Sequence, residues 1–99
     1  MSYQYLENET IIWARARNIP QTSTPLAQAK KTLEEAGELI EAASKQGVPG
    51  YRDALGDCLI TLIVGAETAG VDLMECLAQA FEEIKDRKGK MINGQFVKD

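Results

Sequence analysis

The sequence predicts an all-α domain of four main helices, an antiparallel helical bundle completed by oligomerisation. Three observations carry that expectation. Glycine and proline punctuate the chain into blocks. Apolar residues inside the blocks recur at helical spacing. No segment alternates apolar and polar residues well enough to mark a strand.

The first helix is expected from about Tyr3 to Arg17. It stops before Pro20, because a residue preceding proline is pushed out of helical geometry, and Pro20-Gln21-Thr22-Ser23 reads as loop. The second opens with Thr24 as N-cap and Pro25 in the first turn, and runs to about Gln46, where Gly47-Val48-Pro49-Gly50 ends it. The third runs from about Tyr51 to Ala69, with Gly70 placed to take the left-handed cap position. The fourth starts at Asp72, with Glu75 as capping-box partner and Leu73, Leu77, Phe81 and Ile84 as its apolar stripe. The tail from Gly89 onward reads as polar and irregular.

With 99 residues, 44% of them hydrophobic, the chain is expected to form one domain. Its net charge of -4 and pI of about 4.8 argue against holding nucleic acid by charge alone, so a phosphate ligand would need a cation brought with it. No apolar run is long enough to cross a bilayer. The expectation is a cytoplasmic protein without a nucleic-acid or membrane partner. Cys58 and Cys76 lack the paired spacing of a zinc or redox site and read as two reduced core thiols. There is no histidine, which removes the commonest general base and every Ser-His or Cys-His arrangement. The available chemistry is carboxylates with hard cations.

On the second helix Leu26, Ala29, Leu33, Gly37 and Ile40 share a face that reads as core. Lys30 and Glu34, and Glu41 and Lys45, are oppositely charged and four apart, as in a solvated ion-pair stripe. Glu35 and Glu38 lie on a third face beside Lys31, Leu39 and Ala42. Carboxylates three apart either share one cation or form a repelling acidic turn at the surface. The third helix tips that balance. From Leu55 to Ala66 it is apolar nearly all round, with Asp57 its sole charge, and a buried carboxylate requires a partner. Asp53 stands one turn earlier. Glu35 with Glu38, facing Asp53 with Asp57 across a helix contact, would form an all-oxygen site suited to Mg²⁺ or Mn²⁺. For Asp57 the competing explanation is a buried ion pair or a cap.

The run Glu34-Glu35-Ala36-Gly37-Glu38-Leu39 followed by Asp53-Ala54-Leu55-Gly56-Asp57 resembles the two motifs of MazG-like nucleotide pyrophosphohydrolases. The resemblance extends to Trp13-Ala14-Arg15-Ala16-Arg17-Asn18, to Ser23-Thr24-Pro25 with Lys31, and to the ending from Ile84 to Gly94. It implies Mg²⁺-dependent cleavage of (deoxy)nucleoside triphosphates to monophosphate and pyrophosphate, in a house-cleaning role. Glu35, Glu38 and Asp57 would be metal ligands, and Glu34 a ligand or the residue that orients water. Glu34 and Glu38 are the candidate bases. The second motif departs from the family pattern: its glutamate position is Ala54, so either Asp53 substitutes from the adjacent helical position or the site has fewer protein ligands and more water.

Lys31 is placed to meet either a phosphate or the Glu35 carboxylate. The resemblance favours phosphate contacts for Lys85, Lys88 and Lys90, although cations at a helix end also complement its dipole. Asn93 and Arg17 join the candidate substrate-binding set. Trp13 is a candidate for stacking on a base, against core or interface as the commoner fate of a single Trp. A third helix too apolar for one small chain to cover implies self-association as a homodimer or homotetramer, as the resemblance does. The rival reading is a non-catalytic helical interaction or regulatory module with a degenerate metal site. A di-iron bundle normally uses Glu-x-x-His pairs, which this chain lacks, and the EF-hand loop pattern is absent.

Overall fold

In the computed structural model the chain builds α1 (Tyr3–Ala16), α2 (Ile19–Thr22), α3 (Pro25–Lys45), α4 (Gly47–Ala69), α5 (Leu73–Ile84), β1 (Gly89–Ile92) and β2 (Gln95–Lys98). The described residues are 1–45 and 47–99; Gln46, the expected end of the second helix, lies outside them. The class is all-α, with one small hairpin added.

Local chemistry sets most boundaries. Ser2 caps α1 by accepting a bond from the Tyr5 N–H at 3.1 Å. Asn18 then takes a left-handed conformation, and Ile19-Pro20-Gln21-Thr22 coils into the short α2 rather than the expected loop. The proline ring fixes φ at a helical value and, in the first turn, withholds an N–H that has no helical partner. Thr24 caps α3 through the Ala27 N–H at 3.1 Å, as expected. Gly47-Val48-Pro49-Gly50 does not separate two helices. It forms the first turn of α4, entered through Gly47 at φ 71°. Gly70, at φ 73°, closes α4 in a Schellman pattern, with Val71 N–H to Ala66 C=O and Gly70 N–H to Glu67 C=O. Asp72 caps α5 by accepting from the Met74 N–H at 2.8 Å, while Glu75 adds its charge to the first turn.

The hairpin corrects the expected irregular tail. Asn93 at φ 51° and Gly94 at φ 81° form its two-residue turn, between the paired residues Ile92 and Gln95. Positive φ at both positions is the type I′ geometry whose twist matches paired strands. Gly89 is required opposite it: a Cβ there would collide with the Val97 carbonyl oxygen and lie 2.7 Å from the Phe96 ring.

Packing centres on α4. α3 lies antiparallel along one side, and α1 and α2 lie against it elsewhere. The α3–α4 seam sets Gln28, Thr32, Glu35 and Ala42 against Ala54, Asp57, Thr61 and Gly65. Small residues let the axes approach. The Thr32 hydroxyl donates to Thr61 Oγ1 at 2.9 Å, and Thr61 donates on to the Cys58 carbonyl at 2.7 Å. Arg15 Nε donates to Glu67 Oε1 at 2.8 Å, fixing α1 on α4.

The face expected to be core is therefore not the one buried. Leu26, Leu33 and Ile40 are 66%, 74% and 72% exposed, because α3 turns its polar-and-small face to α4. Leu55, Leu59 and Leu62 on α4 are also exposed, as are Leu77, Phe81 and Ile84 on α5. Cys58 is half-buried, but Cys76 is exposed, so only the first approaches a core thiol. No single helix among the described residues is long and apolar enough to cross a membrane.

Candidate metal centre

The polar seam of α3 brings the acidic residues to α4. Glu35 and Glu38 sit three apart near the α4-facing side, and the antiparallel pairing sets them opposite Asp57. A cavity of about 260 Å³ opens there, lined by Glu38, Glu41, Ala42, Gly50, Asp53, Ala54 and Asp57. Of the two expected carboxylate pairs, Glu38, Asp53 and Asp57 line this cavity, and Glu35 does not line it but feels the charges of Glu38 and Asp57. Among the described residues no three stand close enough to hold one ion in common.

Glu35 is the most constrained member. Its side chain is 13% exposed, and its Oε2 is buried without a hydrogen-bond partner. Its Oε1 lies 3.8 Å from Lys31 Nζ. The carboxyl is held above the usual glutamate range, first by a hydrogen bond with Glu38, then by burial and by the charges of Glu38 and Asp57, with Lys31 pulling the other way. Holding every carboxylate ionised at that place is unfavourable without a cation. An orphaned buried oxygen among oxygen-only donors fits a hard divalent ion.

Other expected site residues are placed as follows. Glu34 points to solvent and pairs with Lys31 at 3.3 Å, rather than with Lys30. Lys31 thereby bridges Glu34 and Glu35 and stands at the site's rim. Glu41 pairs with Lys45 at 3.6 Å and also lines the cavity, a role its ion-pair spacing concealed. Ala54, where the resembled family has glutamate, is 7% exposed on the same cavity, so its methyl stands where a carboxylate would otherwise enter. Asp53 reaches that cavity from the neighbouring helical position.

Trp13 is 44% exposed in a groove of about 270 Å³ with Leu6, Glu9, Thr10 and Ile60. Ile60 is one turn beyond Asp57 on α4. The Arg17 guanidinium lies 4.6 Å over the indole, and its Nη1 donates to the Trp13 carbonyl. Lys85, Lys88, Lys90 and Asn93 are not gathered here. Lys85 pairs with Glu82 at 2.7 Å at the end of α5, Lys88 and Lys90 begin the hairpin, and Asn93 serves its turn.

Sequence reasoning did not single out Glu7. It is 7% exposed, its Oε2 has no partner, and it borders a cavity of about 590 Å³ with Gln4, Asn8, Arg15 and Glu67. Beside it, burial and then Glu7 itself push the Tyr3 phenol up to about 12. No local motif marks either residue.

The sequence profile of the phosphoribosyl-ATP pyrophosphohydrolase family matches residues 7–87, most of the chain and every carboxylate of the candidate centre. An uncharacterized 18.2 kDa protein of the rep-hol intergenic region of Haemophilus phage HP1 (strain HP1c1) is 35% identical over 60 residues. That match covers 61% of this chain and 37% of the phage protein, so the chain spans little more than a third of its curated relative. No solved structure matches the chain.

Proposed function

The chain belongs to the phosphoribosyl-ATP pyrophosphohydrolase family, and on that premise we propose that it hydrolyses (deoxy)nucleoside triphosphates to monophosphate and pyrophosphate, as a MazG-like member of the wider group. The observation that carries the reading is the cavity that Glu38, Asp53 and Asp57 line together between α3 and α4, with the buried, unpartnered Oε2 of Glu35 on the same helix as Glu38.

A triphosphate brings about four negative charges, which that face repels unless a cation intervenes. Glu35, Glu38 and Asp57, with Asp53 in place of the missing glutamate, would hold Mg²⁺ or Mn²⁺. Such an ion supplies charge neutralisation and Lewis acidity at the phosphoryl oxygens. The chain's own groups do the rest. A free carboxylate oxygen of Glu38, or of Glu34, takes the proton from the water that attacks phosphorus as the anhydride bond breaks and pyrophosphate departs. Lys31 exchanges its Glu34 contact for a phosphate oxygen, and Trp13, backed by the Arg17 guanidinium, offers a face on which a base stacks.

Phosphoribosyl-ATP is the second substrate reading, favoured by the family match. It contains the same type of anhydride bond, so the same residues would act on it. The non-catalytic module remains the rival, favoured by Ala54.

Product analysis with Mg²⁺ across ribo- and deoxyribonucleoside triphosphates and phosphoribosyl-ATP decides among them. Monophosphate with pyrophosphate from the former supports triphosphate hydrolysis, and turnover confined to phosphoribosyl-ATP assigns the second substrate. No turnover with Mg²⁺ or Mn²⁺ assigns the interaction module.

A further inference from the structure

We propose that the C-terminal arm, α5 with its hairpin, delivers its lysines to the acidic face of a second copy of this chain and not to its own. The inference rests on the reading of that face as a triphosphate site and names which molecule completes it.

The arm leaves the body of its own chain. α5 turns by 107° from α4. It touches only α4, and among the described residues β1 and β2 contact each other and no other element. At 1.5 Å per residue, the 12 residues from Asp57 to Ala69 and the similar length of α5 put the end of α5 roughly 20 Å from Asp57.

The direction is also wrong for its own site. At about 100° per residue, Leu55 and Leu59 stand about 200° from Asp57, on the far side of α4. The arm starts on that far side, where Leu73, Met74 and Leu77 share a cavity of about 470 Å³ with Tyr3, Leu59 and Leu62. On α3, Leu33 and Ile40 likewise stand roughly opposite Glu38. In an antiparallel pair these two stripes fall on one side, so the α3–α4 layer has an acidic face and an apolar face. The arm departs from the apolar one.

A second copy covers that apolar face most simply. Leu26, Leu33 and Ile40 recur every seventh residue, the spacing with which helices pack in bundles. Apolar faces then meet, acidic faces point outward, and each arm, leaving from the interface, runs past the other copy toward its acidic face. Charge favours that end point. Arg87, Lys88, Lys90 and Lys98 form no ion pair among the described residues, and neither do Glu38, Asp53 and Asp57, which line one cavity.

The test mixes chains. Lys85, Lys88 and Lys90 are changed together to Ala in one variant, and Glu38→Gln is made in another; differently tagged copies are co-expressed and hetero-oligomers isolated by both tags. With lysines supplied by the second copy, each pure variant loses turnover by about 100-fold or more, and a two-chain hetero-oligomer recovers about half of the wild-type rate, from its one intact site. Both variants failing and the hetero-oligomer failing with them overturns the proposal, as does full activity of the lysine variant. Turnover absent even in the wild type refutes the hydrolase reading instead. The arm is then judged by carbodiimide cross-linking of ¹⁴N- and ¹⁵N-labelled chains. Mixed-isotope peptides joining Lys88 or Lys90 to α3 or α4 carboxylates support it, and same-isotope peptides alone, or a monomeric protein, overturn it.

Discussion

Glu35 concentrates the residue-scale argument. Two carboxylates one turn apart on a helix repel, and the first, Glu35, also feels the charge of Asp57 across the α3–α4 seam. Sequence spacing gave the pair and gave Asp57 as a charge in need of company. It could not give the burial of one Glu35 oxygen, which depends on how α3 rotates against α4. The raised pKa of Glu35 makes a signed prediction. The native state keeps a proton that the unfolded chain has already released, so the stability this group contributes is complete below the ordinary glutamate range and is lost as pH rises through the raised native value. In chelator, urea unfolding between about pH 4 and about pH 8 should show the wild type weakening with rising pH relative to Glu35→Gln. A pH-independent difference between the two contradicts the placement of Glu35 among its acidic neighbours.

At the scale of elements, caps were the most legible signals because they are local. Thr24, Gly70 and Asp72 act as their types and positions require. Gly70→Ala forces a Cβ into the left-handed region and should cost about 1 kcal/mol in urea unfolding; no loss would mean the α4–α5 corner re-forms without the Schellman turn. Misreadings arose where one residue type serves two structures. Pro20 and Pro49 read as breakers in the sequence yet sit in helical first turns, where proline is tolerated. Asn93-Gly94 between Met91-Ile92 and Phe96-Val97 is a strong short-range hairpin signal, which the polar, irregular look of the tail masks. The apolar stripe of α3 is real but lies exposed instead of in the core, because amphipathicity shows that a face is apolar and not what covers it.

For the whole molecule, the radius of gyration is 15.5 Å, against about 13 Å for a compact chain of about 100 residues. The excess reflects the projecting arm. Exposed Leu26, Leu33, Ile40, Leu59, Leu77 and Phe81 form more apolar surface than a monomer ordinarily leaves uncovered. Sedimentation at micromolar concentration should therefore give a dimer or tetramer, and Leu59→Glu should shift it toward monomer. Wild type at monomer mass would contradict the bundle reading.

The central claim is that the carboxylates of α3 and α4 form one catalytic centre, and it is tested most directly by Mg²⁺-dependent kcat/KM on the preferred triphosphate in wild type, Glu35→Gln, Glu38→Gln and Asp57→Asn. The account predicts a loss of about 100-fold or more in each variant, with helical content and unfolding cooperativity retained. Variants that keep turnover within a few-fold of wild type would place the chemistry elsewhere.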